Sequence, residues 1–132
     1  MIPAAHPIAP TILVVDDQAE IRRLVALVLE GDGFLVLTAR DGVDALRMAR
    51  EHVHIDLLVT DVVMPGLDGP AAAAQIVAEH PSMPVLFISG GSERFWFAAN
   101  TTFQFLPKPF AIDALIASVR NLLAKHASLS AA

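Results

Sequence analysis

Short β-branched apolar runs alternate along the chain with longer stretches whose apolar residues recur at helical spacing. A continuous apolar run of about four to eight residues fits a strand buried on both faces, whereas recurrence every third or fourth residue fits one face of a helix. By the first pattern "TILVVDD" (Thr11 to Asp17), "FLVLTA" (Phe34 to Ala39), "DLLVTD" (Asp56 to Asp61), "PVLFISG" (Pro84 to Gly90) and "FQFL" (Phe103 to Leu106) read as five strands. By the second, Ile21, Leu24, Val25, Val28 and Leu29 line one helix that Gly31 and Gly33 stop. Val43, Leu46 and Ala49 face a core from a second helix, with Asp41 as its N-cap. Pro70 opens a third helix carrying Ile76 and Val77. A short fourth helix falls between Gly90 and Phe103, and Ile112, Leu115, Ile116, Val119, Leu122 and Leu123 form the stripe of the last. Strand–helix alternation with short connections predicts an α/β domain: a parallel sheet between two helix layers, joined by right-handed crossovers.

Composition narrows this picture. The 132 residues suit a single domain, and 55% hydrophobic against 17% charged residues implies a large core for that size. The pattern divides the chain into an arm at 1–10, a folded body at 11–126 and a tail at 127–132. With a net charge of −5, and only two lysines and seven arginines, no basic stripe is present to bind nucleic acid. The absence of cysteine excludes disulfides and thiolate metal sites and fits a cytoplasmic protein. Apolar runs such as "LVALVL" (Leu24 to Leu29) are far too short to span a bilayer. The opening "MIPAAHPIAP" holds three prolines and reads as a loose arm, not a signal peptide.

The candidate chemistry gathers where the strands end. In a parallel α/β sheet the carboxyl ends of the strands converge on one crevice. Here the first strand ends in Asp16 and Asp17, the third in Asp61 and the fourth in Ser89, and the fifth leads directly to Lys108. Any one of these alone would be an ordinary cap, turn or solvated residue; it is their coincidence at one edge that points to function. Three clustered carboxylates repel one another and raise their own pKa values unless a cation relieves them. Mg²⁺, or Mn²⁺ in its place, suits such hard oxygen donors. Asp61 could then act as a nucleophile towards a phosphoryl group, with Ser89 and Lys108 stabilising charge on its oxygens.

"ILVVDD", "LLVTDVVMPGLDG", "FISG" and "FLPKPF" together resemble the signatures of the response-regulator receiver domain of two-component signalling, in the right order, from Thr11 to Lys125. The resemblance implies a flavodoxin-like (βα)5 doubly wound sandwich with strand order 2-1-3-4-5. It implies that Asp61 accepts a phosphoryl group from a sensor histidine kinase or a histidine phosphotransfer protein. It further implies that Asp17 and the backbone carbonyl of Val63 complete a Mg²⁺ site with Asp61, with Asp16 acting through a metal-bound water. Ser89 and Phe105 would be the switch residues, with Phe103 on the opposite face of its strand, and Lys108-Pro109 a cis peptide. A receiver is a phosphoacceptor and not an enzyme in the usual sense.

Two features depart from the common receiver pattern. Val63 stands two residues past Asp61, where a polar side chain is frequent, and the segment from Ser89 to Lys108 is shorter by nearly one helical turn. A contracted segment of this kind is similar to receivers attached to hybrid histidine kinases. A haloacid-dehalogenase-type phosphatase would need an acid at Val63, and a flavodoxin-like FMN binder would need a hydroxyl- and glycine-rich loop where Asp16 and Asp17 stand. A receiver-fold binding module that does not use phosphate is the remaining alternative.

Outside that edge, the five histidines are scattered and read as surface residues, and Met64 should pack beneath the loop after Asp61. Five of the eight aromatic residues fall within "GGSERFWFAANTTFQF" (Gly90 to Phe105). One helix face cannot bury the consecutive Phe95, Trp96 and Phe97 equally. They read as a partner surface for a kinase or a homodimer, on the face made by the fourth helix, fifth strand and last helix.

Overall fold

The computed structural model describes residues 9–52, 54–90 and 103–131. The predicted fourth helix lies outside these residues, and so do Phe95, Trp96 and Phe97. The described elements run β1 (Thr11–Val15), α1 (Ala19–Gly31), β2 (Leu35–Ala39), α2 (Gly42–Glu51), β3 (Leu57–Asp61), α3 (Gly69–Glu79), β4 (Val85–Ser89), β5 (Phe103–Pro107) and α4 (Ile112–Ala131). All four pairings between neighbouring strands are parallel, and they build one five-stranded sheet in the order β2-β1-β3-β4-β5. This is the flavodoxin-like doubly wound arrangement.

Alternation along each strand sorts the core into two layers. Leu13, Val15, Leu58, Val85 and Phe87 face Ala45, Leu46, Ala49, Ala73 and Ile76 of α2 and α3. Ile12, Val14, Leu57, Val59, Leu86 and Ile88 face Val25 and Leu29 of α1, and Leu115, Val119 and Leu122 of α4. Both faces of β1, β3 and β4 are therefore covered, which is why those runs are apolar without interruption. Each large side chain removed from water in this way contributes at most about 1.5–3 kcal/mol.

Three helical stripes are narrower than their periodicity suggests. In α2 the buried positions are Gly42, Ala45, Leu46 and Ala49, and Val43 is 67% exposed. Val43 lies about 100° around the helix from Gly42 and so falls outside the stripe. In α1, Ala26 is buried with Val25 and Leu29, and Leu24 is exposed; in α4, Ser118 is buried and Ile112 is exposed. At Gly42 the inward position must be small, because a Cβ there would collide with Leu67 of the loop before α3. Of the four histidines among the described residues, His54 is exposed and His52, His80 and His126 are half-buried. The ring Nδ1 of His52 lies 3.0 Å from the Met48 carbonyl. The last helix also continues past His126 to Ala131, because nothing in "ASLSA" breaks a helix.

Local chemistry sets the element boundaries that carry the site. Asp41 accepts from the Asp44 amide and Asp68 from the Ala71 amide, each at 2.8 Å, so both act as side-chain N-caps. Gly66 turns the loop after β3 with a φ of 74°, a conformation that disfavours side chains. At Gly69 the requirement is close approach: a Cβ there would collide with the Asp61 carbonyl oxygen and lie 3.0 Å from the Val62 Cα. Gly69→Ala is expected to cost about 1–3 kcal/mol in denaturant unfolding. Gly31→Ala, where a Cβ meets nothing within 4 Å, should instead be neutral or stabilising by about 0.5 kcal/mol.

Candidate functional site

The strand register assembles the site. Val15 is opposite Thr60 across the β1–β3 pair, so the next residues, Asp16 and Asp61, emerge side by side. Asp61 is opposite Ile88 and Ser89 is opposite Pro107, so Ser89 and Lys108 follow one step later on the adjoining strands. The Lys108 amide donates to the Ser89 carbonyl at 2.8 Å, carrying the pairing one residue past β5. Lys108-Pro109 is a cis peptide, as the resemblance implied.

One carboxylate oxygen from each of Asp16, Asp17 and Asp61 lies within 4.8 Å of the other two. Asp16 and Asp61 are buried, and Asp17 is exposed at the rim. The Lys108 ammonium is 3.3 Å from Asp61 Oδ2 and 4.0 Å from Asp16 Oδ2. Among the described residues, the Lys108 ammonium is the cation paired with this cluster, through Asp61 and Asp16. Burial pushes the Asp16 carboxyl above its ordinary range, and the charges of Asp61 and Asp17 push it the same way. The hydrogen bond from the Gln18 amide and the charge of Lys108 partly oppose this. The donor set is all hard oxygen with surplus negative charge, and so it fits a divalent cation such as Mg²⁺.

Three further residues frame the cluster. Ser89 is buried at the end of β4. Val63 lies in the loop after Asp61 with its side chain 67% exposed, while Met64 beside it is 5% exposed and belongs to the core under that loop. Phe105 is half-buried, stacked on Phe87 with ring centroids 5.3 Å apart and planes at 23°. Phe103 does not take the opposite face of its strand. It packs edge-on against the same Phe87 ring, at 5.3 Å and 81°. Residues two apart in a strand point the same way, so Phe103 and Phe105 must share a face.

Sequence reasoning missed the contacts that hold this pocket in shape. The Arg22 guanidinium donates to the Asp16 carbonyl, and the Gln18 amide to Asp16 Oδ1, both at 2.8 Å. The available signal was position: Arg22 falls one helical turn after Gln18, the N-cap of α1.

The electrostatics of Asp16 give a pH dependence. With a folded pKa above the unfolded one, Asp16 favours folding most in acid, below the ordinary carboxylate range. That contribution is lost as pH rises through the folded value. Asp16→Asn removes the charge but keeps an acceptor for the Gln18 amide. Without divalent cations, its Tm at neutral pH should exceed that of the parent. The difference should vanish below pH ~3.5, as read by thermal scans across pH.

Comparison with known proteins agrees with the geometry. The profile of the response regulator receiver domain family matches residues 12–120. Sensor kinase CckA of Brucella abortus is 35% identical over 120 residues, covering 88% of this chain and 13% of that protein. Response regulator MprA of Mycobacterium ulcerans is 38% identical over 115 residues, covering 85% of this chain and 49% of that protein. The chain thus spans half or less of these curated relatives. Among solved structures, the receiver domain of hybrid histidine kinase CckA superposes with a TM-score of 0.75 at 39% identity, covering 86% of this chain and 98% of that one. A response regulator receiver domain from Clostridium thermocellum gives 0.84 at 30% identity, covering 91% and 98%. Fold, residue placement and family match converge: the chain belongs to the response regulator receiver domain family of two-component signal transduction.

Proposed function

We propose that this chain is a phosphoacceptor that takes a phosphoryl group onto Asp61 from a sensor histidine kinase or a histidine phosphotransfer protein. The observation that carries this reading is the Asp61 carboxylate, buried between two further carboxylates and the Lys108 ammonium. One oxygen of Asp61 attacks phosphorus as the phosphorus–nitrogen bond of the donor phosphohistidine breaks, and the imidazole nitrogen leaves with the electron pair. Lys108 stabilises negative charge on a phosphoryl oxygen, and the Ser89 hydroxyl binds another. Asp16, Asp17, Asp61 and the Val63 carbonyl would hold Mg²⁺ or Mn²⁺, which supplies charge neutralisation for an anion approaching an acidic pocket. Ser89 and Phe105 act as the switch pair that passes the change to the surface.

In this reading the chain is a signalling protein of the cytoplasm and not a turnover enzyme. Among the described residues no helix is long and apolar enough to cross a membrane. The folded unit runs from Thr11 through the last helix, which ends at Ala131. Val63 leaves the position two past Asp61 without the acid that a haloacid-dehalogenase-type phosphatase requires.

Incubation with Mg²⁺ and acetyl phosphate is expected to give an acid-stable, base-labile adduct, seen by intact mass, that Asp61→Asn abolishes. An absent adduct would leave a phosphate-independent binding module, and rapid turnover of many phosphomonoesters a phosphatase. Phe95, Trp96 and Phe97 are proposed to meet a partner or a second copy of the chain. Trp96→Ala should weaken that association at least several-fold in a binding titration and leave phosphorylation of Asp61 intact.

A further inference from the structure

Asp16 is held from three directions. Its amide donates to the Ala39 carbonyl at the end of β2, at 3.2 Å. Its Oδ1 accepts from the Gln18 amide, and its carbonyl accepts from Arg22 Nη1, each at 2.8 Å. Only Oδ2 is left to turn towards Lys108 and the acidic pocket. The Asp16 carbonyl belongs to the same rigid peptide plane as the Asp17 amide. A guanidinium that fixes this carbonyl therefore fixes the direction in which the chain enters Asp17. Asp17 is the exposed member of the acidic cluster, with less packing to hold it than Asp16 or Asp61. Arg22 is half-buried, and its bond reaches back from the first turn of α1 to the end of β1, six residues earlier.

We infer that Arg22 is a positioning residue for the divalent cation: through the Asp16–Asp17 peptide it presets the Asp17 carboxylate against Asp16 and Asp61. This rests on the cation site proposed above. The role is opposite in sign to that of the charge. A guanidinium near a cation site repels the cation, so removing it would tighten binding if charge were all that mattered. Loss of the positioning bond weakens binding, as the loss of outer contacts to metal ligands does elsewhere.

The test compares Arg22→Met, which keeps the apolar stem but removes charge and donor, with Arg22→Lys, which keeps both charge and a donor. Arg23→Met serves as the control: Arg23 is exposed on the same turn, and its loss removes an equal charge. Mg²⁺ affinity is read by calorimetry at low and moderate salt, with folding checked by thermal unfolding. Arg22→Met should bind Mg²⁺ about tenfold more weakly, Arg22→Lys should recover most of that loss, and Arg23→Met should bind as the parent does or slightly more tightly. In NMR spectra without Mg²⁺, the Asp17 and Gln18 amides should shift in Arg22→Met and not in Arg23→Met. Unchanged or tighter Mg²⁺ binding in Arg22→Met, or unmoved Asp17 and Gln18 amides, overturns the inference. Failure of the parent to bind Mg²⁺ would sink the cation site itself, and the amide shifts would still decide whether Arg22 sets the loop.

Discussion

Like charges held at the carboxyl edge of an apolar sheet repel one another, and this constraint organises the functional end of the molecule. Asp16, Asp17 and Asp61 meet there with Lys108 as their near cation. Removing two carboxylates from water costs several kcal/mol each unless the charge is compensated. The Lys108 ammonium, shared between Asp61 and Asp16, offsets only part of that, and the Asp16 carboxyl stays raised by its burial. A site in this condition favours a cation, because added positive charge relieves the repulsion among its carboxylates. Beneath the site lie the two buried apolar layers of the sheet.

Position, more than contact energy, makes the cluster. Asp61 is the last residue of β3, and Asp16 and Asp17 directly follow β1, two strands whose register is fixed by parallel pairing on both sides. A one-residue slip in β1 would exchange its two faces, so the core layers hold Asp16 in place as firmly as any hydrogen bond does. Gly69 brings the start of α3 against the backbone of Asp61, so the loop after Asp61 is seated by close contact. The amide of Gly69 adds a 2.9 Å bond to the Val62 carbonyl. At the far side Phe87 carries both Phe103 and Phe105, which joins the strand ending in Ser89 to the strand leading to Lys108 through one aromatic cluster. A shift of the Phe105 ring therefore has to be accommodated by the core, not only by the surface.

Much of this was legible in the sequence because it rests on period and adjacency. Uninterrupted apolar runs mark strands covered on both faces, and "DD", "TD", "SG" and "PKP" mark their ends. Strand type, the gathering of Asp16, Asp61, Ser89 and Lys108 at one edge, and the N-cap at Asp41 all follow from the local pattern. The depth to which each helix sinks does not follow from it. Val43, Leu24 and Ile112 satisfy helical spacing yet face water, because the sheet selects which residues of a stripe lie closest. The placing of Phe103 opposite Phe105 was an error of another kind, since strand alternation alone puts both rings on one side.

The sequence by itself determined the α/β class, the two-sided core and the set of acidic, hydroxyl and ammonium groups at the strand ends. Those properties are encoded by neighbours in the chain, through pleat and helix periods. Only the tertiary structure decided that Lys108 lies nearer Asp61 than Asp16, that Arg22 reaches back to the Asp16 carbonyl, and that Gly69 leaves no room for a side chain. These are distances between segments brought together by sheet register and helix packing. No local rule specifies them, because each depends on where the other elements come to rest.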